Sequence, residues 1–102
     1  MDYRIIWTET AVANLTAIVQ HVALDNPTAA RKLGADILAH AEILATFPHI
    51  GPAYPRGSTA GVRQVMCRNY RMFYRVMEER ITVEILLIWH GARQDPALPS
   101  RD

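Results

Sequence analysis

Three strand-length runs crowd into the stretch VRQVMCRNYRMFYRVMEERITVEILLIWHGAR, from Val62 to Arg93. The reversals between them are too short for anything but antiparallel pairing of consecutive runs. The first reversal falls at Arg68-Asn69, where Asn69 tolerates the positive-φ backbone that a two-residue hairpin demands. That turn sets a register: Cys67 opposite Tyr70, Val65 opposite Met72 and Arg63 opposite Tyr74. Gln64, Met66, Arg71, Phe73 and Arg75 then point to the other face, which mixes two arginines with apolar groups. The second reversal covers Glu78 to Arg80. The third run, Ile81 to Trp89, is apolar at nearly every position, the pattern of a central strand covered on both faces.

The rest of the chain supplies the cover. Tyr3 to Trp7 (YRIIW) is a short β-branched and aromatic run expected to join the sheet. Thr8 can cap a helix that follows, with Glu9 favourably placed in its first turn. Ala11, Val12, Leu15, Ile18, Val19 and Val22 recur at three- and four-residue spacing and form its apolar stripe, ending near Leu24. Asp25-Asn26-Pro27 reverses the chain, with Asn26 as an N-cap and Pro27 at the first helical position. A second helix, about Thr28 to Thr46, buries Ala30, Leu33, Ile37, Ala41 and Leu44 and turns Lys32, Asp36 and His40 outward. The short link makes the two an αα-hairpin. FPHIGPAYPRGSTAG, from Phe47 to Gly61, holds three prolines and three glycines in fifteen positions and reads as a loop over the sheet edge. The tail, Gln94 to Asp102, is expected to be irregular or frayed. The fold class is therefore α+β: an N-terminal strand, an αα-hairpin, then a three-stranded antiparallel meander, with the helices on one face of a small sheet.

A chain of 102 residues is one domain, 1–102, with room for a modest core. Half of it is apolar and about a fifth charged, which excludes a disordered tail. No run approaches a membrane span and MDYRIIWTET is too polar for a signal peptide, so the expected location is cytoplasmic, with no membrane partner. Cys67 has no companion for a disulfide or a metal and reads as a small buried side chain. The net charge is only +1, but its distribution is uneven. No acid occurs between Glu42 and Glu78, where Arg56, Arg63, Arg68, Arg71 and Arg75 all fall. Ten of the eleven basic residues are arginine, suited to planar, bidentate contact with carboxylate or phosphate. An anionic macromolecular partner is the expectation.

Candidates for chemistry are few. His90 is the one imidazole expected near the arginines, and Arg63, Arg71, Arg75 or Arg93 could hold a phosphate beside it. The plainer reading, which we favour, is that His90 and Arg93 terminate the last strand and bond to backbone or to Glu84. His21, His40 and His49 read as surface or satisfied polar residues, and no pair has metal-site spacing with a third ligand, so neither metal nor cofactor is expected. Glu78, Glu79 and Glu84 are scattered and make no paired-carboxylate site. Tyr70 and Tyr74 share the face of Val65, Cys67, Met72 and Val76 and read as core, and Met66, Met72 and Met77 as apolar filler.

The order of elements, with Pro48 to Gly51, Arg63, Tyr70-Arg71, Tyr74-Arg75-Val76 and His90 to Arg93 at these intervals, resembles the RelE/ParE toxin superfamily of bacterial toxin–antitoxin systems. Its members are often called plasmid stabilisation system proteins. The resemblance runs from YRIIWTETAVANL through FPHIG to VRQVMCRNYRMFYRV and ILLIWHGAR, nearly the whole chain. It implies one of two actions. RelE-like members are messenger-RNA interferases acting in the ribosome, which need a base, an acid and cations around the scissile phosphate; here His90, Arg63, Arg75 and Arg93 would serve. ParE-like members poison DNA gyrase by binding, with no catalytic residue of their own. The HGAR ending is more similar to ParE, and Gln94 to Asp102 lacks the terminal tyrosine or histidine common among RelE-like enzymes. The resemblance therefore implies a gyrase poison, with the ribosome and messenger RNA as the alternative target and an inactive antitoxin-binding module as a second alternative. Arg63, Arg71, Arg75, His90 and Arg93 are the candidates for target contact. A ParD-like antitoxin, acidic and partly disordered, is the implied partner in a hetero-oligomer. It is expected to enter a groove between hairpin and sheet or to add a strand, with Gln64, Arg71, Phe73 and Arg75 as candidate contacts.

Overall fold

The computed structural model describes residues 2–93 together with Pro96 and Leu98. Its elements are β1 (Arg4–Trp7), α1 (Glu9–Ala23), α2 (Pro27–Thr46), β2 (Val62–Cys67), β3 (Tyr70–Met77) and β4 (Thr82–His90), with a 3₁₀ turn at Glu78–Arg80. They form a four-stranded sheet of order β1-β4-β3-β2. β4 runs parallel to β1 and antiparallel to β3, so the apolar third run is indeed an inner strand. The β2–β3 register is the one expected from the turn, with Arg63 opposite Tyr74 and Cys67 opposite Tyr70. The positive φ, however, is at Arg68 (55°) and not at Asn69. The Arg68 side chain is occupied as well, ion-paired with Asp36 on α2. The remainder of the expected tail lies outside the described residues.

Both helix starts follow from their caps. Thr8 accepts a hydrogen bond from the Ala11 N–H at 3.1 Å and Asn26 from the Ala29 N–H at 3.0 Å, each relieving a donor that the first turn leaves orphaned. The stripe of α2 is buried as expected, at Ala30, Leu33, Ile37, Ala41 and Leu44. On α1, Val12 departs from the expected stripe and is 49% exposed, while Ala11, one position or about 100° around the helix, is the residue fully covered there. Asp36 and His40, expected to face outward, are half-buried. The main core lies between hairpin and sheet, where Ile37 and Leu44 meet Met72, Tyr74, Val83, Ile85 and Ile88. A smaller cluster on the opposite face joins Val62, Phe73, Leu86 and Leu87, capped by Tyr54, Trp89 and Leu98. That second cluster is why β4 can be apolar on both sides.

A single irregularity in the sheet decides which side chains share a face. The β3–β4 pairing slips by a residue between Phe73 and Tyr74, so Tyr74 faces Ile85 while Phe73 faces Leu87, leaving Leu86 as a β-bulge. Side chains alternate in a strand, so the extra residue turns both Leu86 and Leu87 to the second cluster and sends Ile88 to the helix side. The start of α1 holds the bulge. Thr8 shares its hydroxyl proton between the carbonyls of Ile85 (2.8 Å) and Leu86 (3.2 Å), and Asn14 Oδ1 accepts from the Ile88 N–H at 3.1 Å.

Candidate functional site

The Phe47–Gly61 loop is fastened to the sheet edge before any surface is built. Gly51 sits where a Cβ would lie 2.3 Å from the Gln64 carbonyl and 2.9 Å from the Tyr74 hydroxyl, so no larger residue fits. The Gly51 N–H donates to the buried Tyr74 hydroxyl at 3.0 Å. Arg63 Nη1 donates to the Gly51 carbonyl at 2.6 Å and to that of His49 at 3.4 Å. His49 is hydrogen-bonded through Nε2 to Glu78, whose other oxygen accepts from Tyr3 at 2.5 Å. The Tyr3 and His49 bonds hold the Glu78 carboxyl below the ordinary range. Burial raises the Tyr74 phenol and the Cys67 thiol, so both remain protonated and unreactive. Beyond Gly51 the loop runs along β2, with the Tyr54 N–H donating to the Val62 carbonyl at 2.8 Å. This path delivers Tyr54 to the face of the sheet that the helices do not cover.

On that face an arginine–aromatic surface is assembled. Arg71 of β3 lies 4.8 Å from the centre of the Phe73 ring and 5.5 Å from that of Tyr54, while its Nε donates to Gln64 Oε1 at 3.0 Å. Tyr54 meets Phe73 edge-on at 4.8 Å. Because of the bulge, Arg71 stands opposite Trp89, and Arg93 stacks over the Trp89 ring at 4.1 Å. Each guanidinium thus lies within cation–π reach of a ring, worth about 0.5–1 kcal/mol at an exposed position. Among the described residues no group of three or more His, Cys, Asp or Glu side chains could hold a metal. Nor is any helix among them long and apolar enough to cross a membrane.

Further along β3 on the same face, about 13 Å from Arg71 by strand rise, Arg75 stands opposite Glu84. Its side chain is 13% exposed, and Nη1 reaches Glu84 Oε1 at 3.4 Å. Nε and Nη2 are buried without an acceptor among the described residues. A buried charged donor left unpaired costs upwards of about 1–3 kcal/mol, so this arrangement is not favoured by stability alone.

The fold and this surface can be set against known proteins. Residues 5–95 match the family model described as the ParE toxin of the type II toxin–antitoxin system parDE. The chain belongs to the ParE toxin family. Toxin RelE2 of Caulobacter vibrioides is 33% identical over 91 residues, spanning 88% of this chain and 97% of that one. The chromosomal ParDE toxin–antitoxin system of P. aeruginosa contains a chain of 28% identity and TM-score 0.71, covering 86% of this chain and 95% of its own length. In the RelBE2 toxin–antitoxin complex of Mycobacterium tuberculosis the corresponding values are 25%, 0.67, 88% and 99%. The resemblance noted in the sequence, and the α+β class with it, is thereby established.

In this ParE-family chain the residues singled out from sequence separate into three places. Gln64, Arg71, Phe73 and Arg93 come together on the open face. Arg75 shares that face but is spent partly on Glu84. Arg63 and His90 lie on the helix side: Arg63 binds the loop, and the His90 ring meets Tyr70 edge-on at 5.4 Å while its Nδ1 accepts the Ala92 N–H at 3.1 Å. Glu84, weighed as a partner for His90, pairs with Arg75 instead. Two members of the surface, Tyr54 and Trp89, were not identified from sequence. Trp89 was within reach, since counting back from the Glu78–Arg80 turn puts Ile88 opposite Arg71 and a single bulge replaces it with Trp89. Tyr54 had no local signal, because its position depends on the path of the loop.

Proposed function

We propose that this ParE-family toxin acts by poisoning DNA gyrase through binding, and that an acidic ParD-like antitoxin neutralises it by direct contact. The observation that carries the first part is the composition of the open face. Arg71 and Arg93 lie over aromatic rings there, suited to gripping an anionic or polar macromolecular surface. Hydrolysis of RNA would need a proton-transfer group beside those guanidiniums. The imidazole nearest in sequence, His90, is turned to the other side of the sheet by the bulge, with Nδ1 engaged by backbone. Support for the second part is the company the fold keeps: the ParDE and RelBE2 structures it resembles are both toxin–antitoxin systems.

The test is induced expression in a bacterial host with two readouts. Accumulation of cleaved DNA–gyrase complexes with intact messenger RNA is the expected result. Codon-phased messenger-RNA cleavage with gyrase unaffected would identify a RelE-like interferase, whose bases would stack on the same aromatic surface. Growth, gyrase and messenger RNA all unchanged would mark an inactive antitoxin-binding member.

A further inference from the structure

Arg75 differs from Arg63, Arg68 and Arg71 in what its guanidinium leaves idle. Arg63 and Arg71 each find acceptors within the chain. Arg75 offers only Nη1 to Glu84, at a long 3.4 Å, and keeps Nε and Nη2 without an acceptor among the described residues. Those two N–H groups lie along one edge of the guanidinium plane, the edge that grips a carboxylate with two parallel hydrogen bonds. Arg75 itself lines a cavity of about 510 Å³, together with Thr8, Thr10, Glu84, Leu86, Leu87 and Leu98, while Nε and Nη2 are covered. The first turn of α1 forms one wall, bringing the positive end of a 15-residue helix to the same place.

We propose that this cavity is a carboxylate anchor: one Asp or Glu side chain of the antitoxin enters it and takes Nε–H and Nη2–H of Arg75 as a bidentate pair. The assignment rests on the reading of the chain as a toxin held by an acidic antitoxin. Charge selects the ligand class. Glu84 already places one negative charge at Nη1, which a phosphate dianion would face directly, whereas a planar monoanion adds a single charge to a single idle edge. Shape agrees, since the leucines accommodate the methylene stem of an acidic side chain. The cavity is also far larger than a carboxylate, leaving room for the backbone that carries it. Entry moves the groups that now shield Nε and Nη2.

Two measurements test this. In the first, the isolated protein labelled with ¹⁵N-arginine is titrated with sodium propionate, sodium phosphate or sodium chloride at constant ionic strength. The Arg75 Nε–Hε resonance is assigned by its absence in Arg75→Lys. A saturable shift with propionate, confined to Arg75 and missing with chloride, is expected. No saturable response, as when only water bonds to that edge, overturns the proposal, as does an equal response to chloride. Tighter binding of phosphate overturns the carboxylate assignment. In the second, each Asp and Glu of the co-expressed antitoxin is neutralised in turn, against wild-type toxin and against Arg75→Lys shown to be folded by circular dichroism. One position should weaken the complex about tenfold or more with wild-type toxin and by less than about twofold with Arg75→Lys. If every position is additive with Arg75→Lys, the anchor is excluded. If no antitoxin binds at all, the toxin reading fails, and the propionate titration alone decides whether the pocket exists.

Discussion

The two faces of this sheet are made by alternate residues of the same strands, yet they are finished differently. In β3, Met72, Tyr74 and Val76 look toward the helices, into the main core, where the buried Tyr74 hydroxyl is paired with the Gly51 N–H. Their neighbours Arg71, Phe73 and Arg75 look the other way, onto a thin apolar layer with guanidiniums laid across or beside it. One parity carries the fold and the other is left for contact. A substitution on the first should therefore be read in stability, and one on the second in toxicity.

The comparison can be broken most forcefully from the helix side. Ile37→Ala should cost about 3–4 kcal/mol, since a fully buried side chain at the centre of the core leaves a cavity; urea denaturation reading less than about 1 kcal/mol would show that the hairpin is not the main support. Gly51→Ala should follow at about 2–3 kcal/mol, because its Cβ would overlap the Gln64 carbonyl. Tyr74→Phe leaves the Gly51 N–H unpaired and should cost about 1–2 kcal/mol in the same assay. On the open face, Arg71→Ala with Arg93→Ala should abolish growth inhibition while shifting stability by only about 1 kcal/mol or so. Loss of toxicity through unfolding would erase the distinction between the faces. The smallest effect concerns acid. The folded pKa of Glu78 is depressed by its Tyr3 and His49 bonds. Its contribution is therefore complete above about pH 4.3, the ordinary glutamate value, and lost as pH falls through the folded value. Glu78→Gln should flatten that acid limb of the stability–pH profile, measured by thermal melts, by lowering stability slightly at neutral pH while leaving it unchanged below the folded pKa.

Much of the helix side was legible because its signals are local. The caps at Thr8 and Asn26 and the five buried positions of α2 follow from spacing and from residues within one turn of each other. The same is true of the β2–β3 register, fixed by a two-residue turn even though Arg68 and not Asn69 supplies the positive φ. The open face was harder. A strict period-2 reading of β4 puts Glu84, Leu86, Ile88 and His90 together, which places the imidazole among the arginines. The bulge at Leu86 reverses that parity for the second half of the strand. The groups that bond to it, Thr8 and Asn14, come from a distant part of the chain, beyond the reach of any local pattern. The contacts joining His49, Tyr3 and Glu78 are likewise long-range, between residues 29 and 75 positions apart.

By itself the sequence determined the elements, their order, the arginine-rich ribbon and the family, since periodicity, capping and turn chemistry act over a few residues and survive without the rest of the molecule. Only the tertiary structure decided which arginines share a surface, that Arg75 keeps two buried N–H groups without an acceptor among the described residues, and where His90 points. Those outcomes hang on one extra residue in a strand and on the route of a proline-rich loop, and both are set by contacts between distant parts of the chain.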